Sequence, residues 1–186
     1  MAIIAVGSNL PGGGYVPESI VTDAIETLAE RTGTVPTVSR FFRTPAFPPG
    51  SGPDFVNAAL ALDWPGSPKA LLALLHEVEA EFGRTRRARW EARVLDLDLI
   101  ALGDTVHPDD DTQTHWRTLS PEAAGRCAPE GLVLPHPRLQ DRGFVLVPMA
   151  EIAPDWCHPV TGESVTAMLA GLSDAERAEI RPIDRE

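Results

Sequence analysis

The chain has 186 residues, enough for a domain with a substantial apolar core. Its formal net charge of −11 argues against a general nucleic-acid or anionic-membrane surface. Two cysteines, Cys127 and Cys157, make no disulfide framework, and no apolar run approaches the ~20 residues of a membrane span. No leader pattern opens the sequence, so the expected setting is a reducing cytoplasm.

Residues 2–6 are a short apolar run closed by Gly7-Ser8-Asn9, which predicts a buried first strand. Over 18–31 the spacing of Ile20, Ala24, Ile25 and Leu28 predicts a helix. Residues 37–44 alternate weakly and predict a second strand. A loop follows over 45–53, with four prolines and two glycines. A third strand is expected over 55–62. Ser67-Pro68 opens a second helix, Ser67 as N-cap and Pro68 in its first turn, with Leu71, Leu72, Leu75 and Val78 inward and Phe82-Gly83 as its end. Residues 84–93 form a basic loop with five arginines, and 94–102 a fourth strand. The order βαββαβ predicts an α+β fold, the split ferredoxin-like arrangement. Residues 104–134 are polar, acidic and without clear period, and are expected as a long inserted loop. Helices over 142–152, interrupted by Pro148, and over 164–172 form a C-terminal helical extension. With no repeat or linker, residues 1–186 are expected to be one domain.

Asp96 and Asp98 are the most informative pair. On a strand, residues two apart share a face, so two carboxylates would stand together inside an apolar run. They repel each other and are costly to desolvate. A hard cation relieves both penalties, and magnesium typically takes one or two carboxylates and completes its shell with phosphate oxygens. Arg84, Arg86, Arg87, Arg89 and Arg93 set positive charge beside the pair. Acids for metal and arginines for phosphate point to phosphate chemistry. A solvated helix end would also explain the arginines. Cys157-His158 is too small a set to complete a metal site.

Several segments, in this order, resemble the 6-hydroxymethyl-7,8-dihydropterin pyrophosphokinase family of folate biosynthesis. They are Ala5-Val6-Gly7-Ser8-Asn9-Leu10, Arg43-Thr44-Pro45, Pro53-Asp54-Phe55-Val56-Asn57-Ala58, and Glu79 through Gly83-Arg84. Further on come Arg89-Trp90, Arg93-Val94-Leu95-Asp96-Leu97-Asp98, Leu134-Pro135-His136-Pro137 and Asp141-Arg142-Gly143-Phe144. Each alone is weak; the ordered set, spanning about the first 155 residues, is specific.

The resemblance implies transfer of the β,γ-diphosphate of ATP to the hydroxymethyl oxygen of the pterin, with release of AMP. It implies two magnesium ions bridged by Asp96 and Asp98, with ATP as co-substrate. Arg84 and Arg93 would hold the migrating phosphates, and Trp90 would close over the site. Thr44, Pro45 and Phe47 match the pterin wall, Asn57 the pterin-reading amide, and Phe55 and Phe144 aromatic positions against the ring. Leu99, His136 and Arg142 match nucleotide-side positions, and His76 stands where some members carry glutamine. Glu79 fits the pattern without an assigned role. Glu91 and Ala92 depart from it, Glu91 by placing a negative charge in the basic loop. The implied partners are small molecules only, neither nucleic acid nor membrane. Two other readings stay open from the residues themselves: another two-metal phosphotransferase or hydrolase, and a ferredoxin-like binding module.

Overall fold

A computed structural model describes residues 1–11, 14–46, 50, 52–83 and 94–184. Phe47 and the basic loop with Arg84, Trp90 and Arg93 lie outside the described residues.

The elements run β1 (Ala2–Ser8), α1 (Pro17–Thr32), β2 (Thr37–Val38), β3 (Phe42–Thr44), β4 (Phe55–Leu62), α2 (Pro68–Glu81) and β5 (Asp96–Leu102). They continue with α3 (Asp110–Thr118), α4 (Pro121–Arg126), a 3-10 turn (Leu139–Asp141), α5 (Gly143–Ile152), α6 (Val165–Ala170), α7 (Asp174–Ala178) and β6 (Arg181–Pro182). The strands pair antiparallel in the order β5-β1-β4-β3-β6, with β2 also on β4. This is a mixed α/β structure, with helices on an antiparallel sheet.

Strand alternation divides the apolar residues between two faces. Ile4 and Val6 of β1, Ala58 and Leu60 of β4, and Leu97 and Leu99 of β5 face α1 and α2. There they meet Ile20, Ala24 and Leu28 of α1 and Leu71, Leu75 and Val78 of α2. The Ser67 hydroxyl accepts the Ala70 N–H and caps α2, as its position before Pro68 predicts. On the opposite face Ile3, Ala59, Ile100 and Ala101 pack against Val145, Leu146 and Met149 of α5 and Val165 and Met168 of α6. α5 covers only part of that face. The end carrying Gly7, Asn57 and Asp96 lies beyond its apolar cluster.

Four expectations change. The helix over 142–152, expected to be interrupted at Pro148, is the single helix α5 that runs through it. The single strand over 37–44 is two strands, because Ser39 interrupts the ladder. Its backbone N–H donates to the Ala59 carbonyl at 2.9 Å, while its hydroxyl accepts the Ala59 N–H at 3.0 Å. The loop over 104–134 contains α3 and α4. Asp109 caps α3 by accepting the Thr112 N–H at 2.8 Å, and Ser120 caps α4 by accepting the Ala123 N–H at 3.2 Å. Asp110 and Asp111 suit the positive end of α3. The chain end adds α7, held by a capping box of Ser173 and Glu176, and β6, which pairs with β3.

No helix among the described residues is long and apolar enough to cross a membrane.

His158 is 1% exposed in the turn after Trp156. Burial lowers its pKa to about 4, and nearby Arg117 adds to this, while Glu163 acts in the opposite sense. An unfolded histidine titrates near 6.5. Between those values the unfolded chain binds more protons, so stability is full above about 6.5 and falls as pH drops toward 4. Thermal unfolding from pH 7.5 to 4 should show this decline, and His158→Asn should make it shallower, leaving the share of buried His136. An unchanged slope in the variant would assign the acid sensitivity elsewhere.

Candidate active site

The site lies on the sheet face that α5 leaves partly uncovered. In the antiparallel register Asp96 stands opposite Gly7, Gly7 opposite Asn57, and Asn57 opposite Phe42. One row therefore crosses four strands. One step along, Asp98 faces Ala5 and Ala5 faces Ala59. With strands about 4.8 Å apart, Asp96 and Asn57 are held about 10 Å from each other across Gly7.

Asp96 and Asp98 are half-buried and share this face, as the spacing predicts. Their neighbours on β1 are Gly7, which carries no side chain, and Ala5, which carries one methyl. Two hard oxygen donors on one face of the strand fit a divalent cation. Among the described residues no group of three or more His, Cys, Asp or Glu side chains could hold a metal, so a cation here would take further oxygens from a ligand or water.

Arg142, the residue before α5, reaches Asp98 with Nη1 3.0 Å from Oδ2. The same guanidinium stands 5.6 Å from the centre of the Phe144 ring, in cation–π range. Phe144 is 38% exposed, so one face of its ring is open to a flat ligand. Acid, cation and ring thus form one connected edge.

His136 is tied to the same strand. β5 has an irregularity in its pairing, with Ile4 opposite Leu99 but Ile3 opposite Ala101. The carbonyl of Ile100, between them, accepts the His136 N–H at 2.8 Å. Its ring Nδ1 accepts the Arg138 N–H at 3.1 Å. That leaves Nε2 to carry the proton. Burial and then nearby Arg142 hold the pKa well below the usual histidine range, against the opposing pull of Asp96. The ring is therefore a neutral donor at pH 7.

At the other end of the row Asn57 is 7% exposed, and its Nδ2 donates to the Thr44 hydroxyl at 2.7 Å. Its Oδ1 lies over Gly7: a Cβ on Gly7 would stand 2.6 Å from it. Phe55 is half-buried beside them and pairs with Thr44, while Pro45 is exposed.

The remaining expected residues divide. The Leu99 side chain is 3% exposed and belongs to the core against α1 and α2, opposite the carboxylates. Only its backbone reaches the site face. His76 is exposed on α2, also on that opposite side. Phe47, Arg84, Trp90 and Arg93 are outside the described residues.

Two residues gain a role that sequence alone did not assign. Gly7 is needed small, because Asn57 lies across it. Glu79 is 1% exposed, and its Oε1 accepts the Leu97 N–H at 2.8 Å. Leu97 lies between the two aspartates on an edge strand, so this carboxylate fastens the strand that carries them.

The comparisons with known proteins agree with one another. Residues 3–154 match the family described as 7,8-dihydro-6-hydroxymethylpterin-pyrophosphokinase (HPPK). A 2-amino-4-hydroxy-6-hydroxymethyldihydropteridine pyrophosphokinase of Synechocystis is 37% identical over 90% of this chain and 74% of its own length. One of Methylorubrum extorquens is 35% identical over 96% of this chain and 98% of its own. Among solved structures, wild-type HPPK-DHPS of Plasmodium falciparum shares the fold, with a TM-score of 0.61 at 11% identity. That likeness covers 91% of this chain but only 44% of the Plasmodium chain.

Gly7→Ala should push the Asn57 amide aside and break its bond to Thr44. The expected cost is about 1–3 kcal/mol in urea unfolding, the penalty of a disturbed buried polar contact. In an Asn57→Ala background the same change should cost much less, since the oxygen it strikes is gone. Equal costs in both backgrounds would refute the close approach.

Proposed function

This chain belongs to the HPPK family, and on that footing we propose that it transfers the β,γ-diphosphate of ATP to the hydroxymethyl oxygen of 6-hydroxymethyl-7,8-dihydropterin and releases AMP. Residues 1–186 act as one domain, with a ferredoxin-like βαββαβ core and a C-terminal helical extension. The observation that carries the reading is the row on one sheet face: a carboxylate end at Asp96, a glycine floor at Gly7, and an amide end at Asn57.

Phosphoryl chemistry asks for positioning and for compensation of negative charge more than for covalent help. Asp96 and Asp98 would hold two magnesium ions. When bound, magnesium neutralises phosphate oxygens and orients them. The Arg142 guanidinium has N–H groups beyond the one directed at Asp98, and these can meet nucleotide oxygens. His136 adds an uncharged donor on the nucleotide side. Arg84 and Arg93 would grip the migrating phosphates, and Trp90 would close the loop over them, keeping water from competing as nucleophile.

On the pterin side Asn57 gives one Nδ2 N–H to Thr44 and keeps its second N–H and Oδ1 for the ring. Fixing the amide in this way sets which side of the ligand meets its donor and which its acceptor. Phe144 and Phe55 supply flat apolar surface for the heterocycle, and Pro45 and Phe47 extend the wall. The hydroxymethyl group is then carried toward the carboxylate end of the row.

The two ends can be separated by mutation. Asp98→Ala removes a cation ligand, and turnover should fall by about three orders of magnitude or more. Asn57→Ala leaves the carboxylates in place and should weaken pterin binding by about one to two decades, the worth of ~1–3 kcal/mol. Pterin-dependent AMP release and calorimetry with a non-hydrolysable ATP analogue measure both. Near-normal turnover in Asp98→Ala would discard the cation assignment. Unchanged pterin affinity in Asn57→Ala would move the pocket elsewhere, and AMP or phosphate release without pterin would favour a hydrolase.

A further inference from the structure

Gln113 is fully buried although α3 is otherwise a polar helix, and it is the buried residue of that helix. Its Nε2 donates to the carbonyl of Pro135 at 3.3 Å and lies 3.2 Å from Nε2 of His158. His158 is 1% exposed, and its Nδ1 accepts the Val160 N–H at 3.2 Å and the Thr161 N–H at 3.4 Å. An amide and an imidazole are thus buried against each other at the junction of α3, the 133–136 segment and the C-terminal turn. Apolar residues of similar volume would fill that space at lower desolvation cost. What the Gln113 amide adds is direction: its N–H fixes the carbonyl immediately before His136, while His158 packs against it.

The rest of His136 is already committed. Its N–H goes to Ile100, its carbonyl accepts the Leu139 N–H at 3.0 Å, and its Nδ1 accepts from Arg138. The preceding carbonyl is the remaining handle on the peptide, and Gln113 holds it. We propose that Gln113 is a positioning residue for the nucleotide side of the reaction, setting the His136 ring beside Asp96 and Arg142. The 104–134 segment, whose α3 carries Gln113, is then a brace for the site. This inference rests on the pyrophosphokinase reading and on His136 facing the nucleotide.

The test is a double-mutant cycle on the intact chain with Gln113→Leu and His136→Ala, read as separate KM values for ATP and pterin. Gln113→Leu should raise KM for ATP about tenfold, the effect of about one misplaced hydrogen bond, and leave KM for pterin within about twofold. In the His136→Ala background Gln113→Leu should no longer change KM for ATP, although any loss of thermal stability persists. If Gln113→Leu does not fold, Gln113→Met preserves volume and flexibility and carries the same cycle. The His136 ring nitrogen resonances should shift in the variant. A folded variant with wild-type KM for ATP and unmoved resonances overturns the proposal, as do effects that multiply in the double variant. If the wild type releases AMP with pterin but His136→Ala keeps its KM for ATP, the positioning role fails and the pyrophosphokinase reading stands. Absence of pterin-dependent AMP release in the wild type removes both.

Discussion

Everything at the site depends on β5 presenting opposite chemistry on its two faces. Leu97 and Leu99 are sealed into the core against α1 and α2, while Asp96 and Asp98 face the other way. A slip of one residue would exchange them, burying two carboxylates among leucines and exposing the leucines. The apolar side sets the register, and the acidic side inherits its position from it. β5 is also an edge strand, with a neighbour in the sheet on one side only. At Leu97 the open edge is closed by Glu79, a buried carboxylate reaching across from α2. Burying a carboxylate is expensive, and here it ties down a strand that must stay where it is. A strand that carries two adjacent like charges meets that condition.

The second face of the sheet is divided along its length for the same reason. At one end Ile3, Ala59 and Ile100 require a helix, and α5 and α6 supply it. Ala5 still packs against that cluster, but beyond it Gly7 carries no side chain and lies under the Asn57 amide oxygen, so no apolar surface there calls for a helix. α5 begins near that boundary, which is why Arg142 and Phe144, at its start, stand at the rim beside Asp98.

This division was partly legible in the chain. The four main strands and two helices announce themselves through apolar period, because each buries an apolar stripe. The Asp96–Asp98 pair is legible for a related reason: charges in an apolar run contradict their surroundings. α3 was not legible, since its one buried residue is a glutamine and it has no apolar stripe to detect. Its capping residue Asp109 was the available signal, lost in a run of three aspartates. Gly7 could be read as a turn glycine because its importance lies in cross-strand register, placing it between Asp96 and Asn57. Glu79 is similar: its partner is a backbone group 18 residues away, which no side-chain pattern reveals.

The polar contacts of the site also differ in how easily they can be exchanged. Glu79 with Leu97 and Asn57 with Thr44 are buried, so releasing either leaves a dehydrated group unmatched. Those contacts hold the frame still. Arg142 with Asp98 is different. The two side chains keep 27% and 35% of their surface exposed, and ion pairs in such settings contribute little to stability. Water already competes for them, so a phosphate or a cation can replace one partner without a large penalty. On a chain of net charge −11 this matters, because an anionic nucleotide meets repulsion from the whole surface and needs cations that can reorganise locally. The fold therefore spends its buried polar contacts on geometry and leaves its half-exposed charges available for ligands.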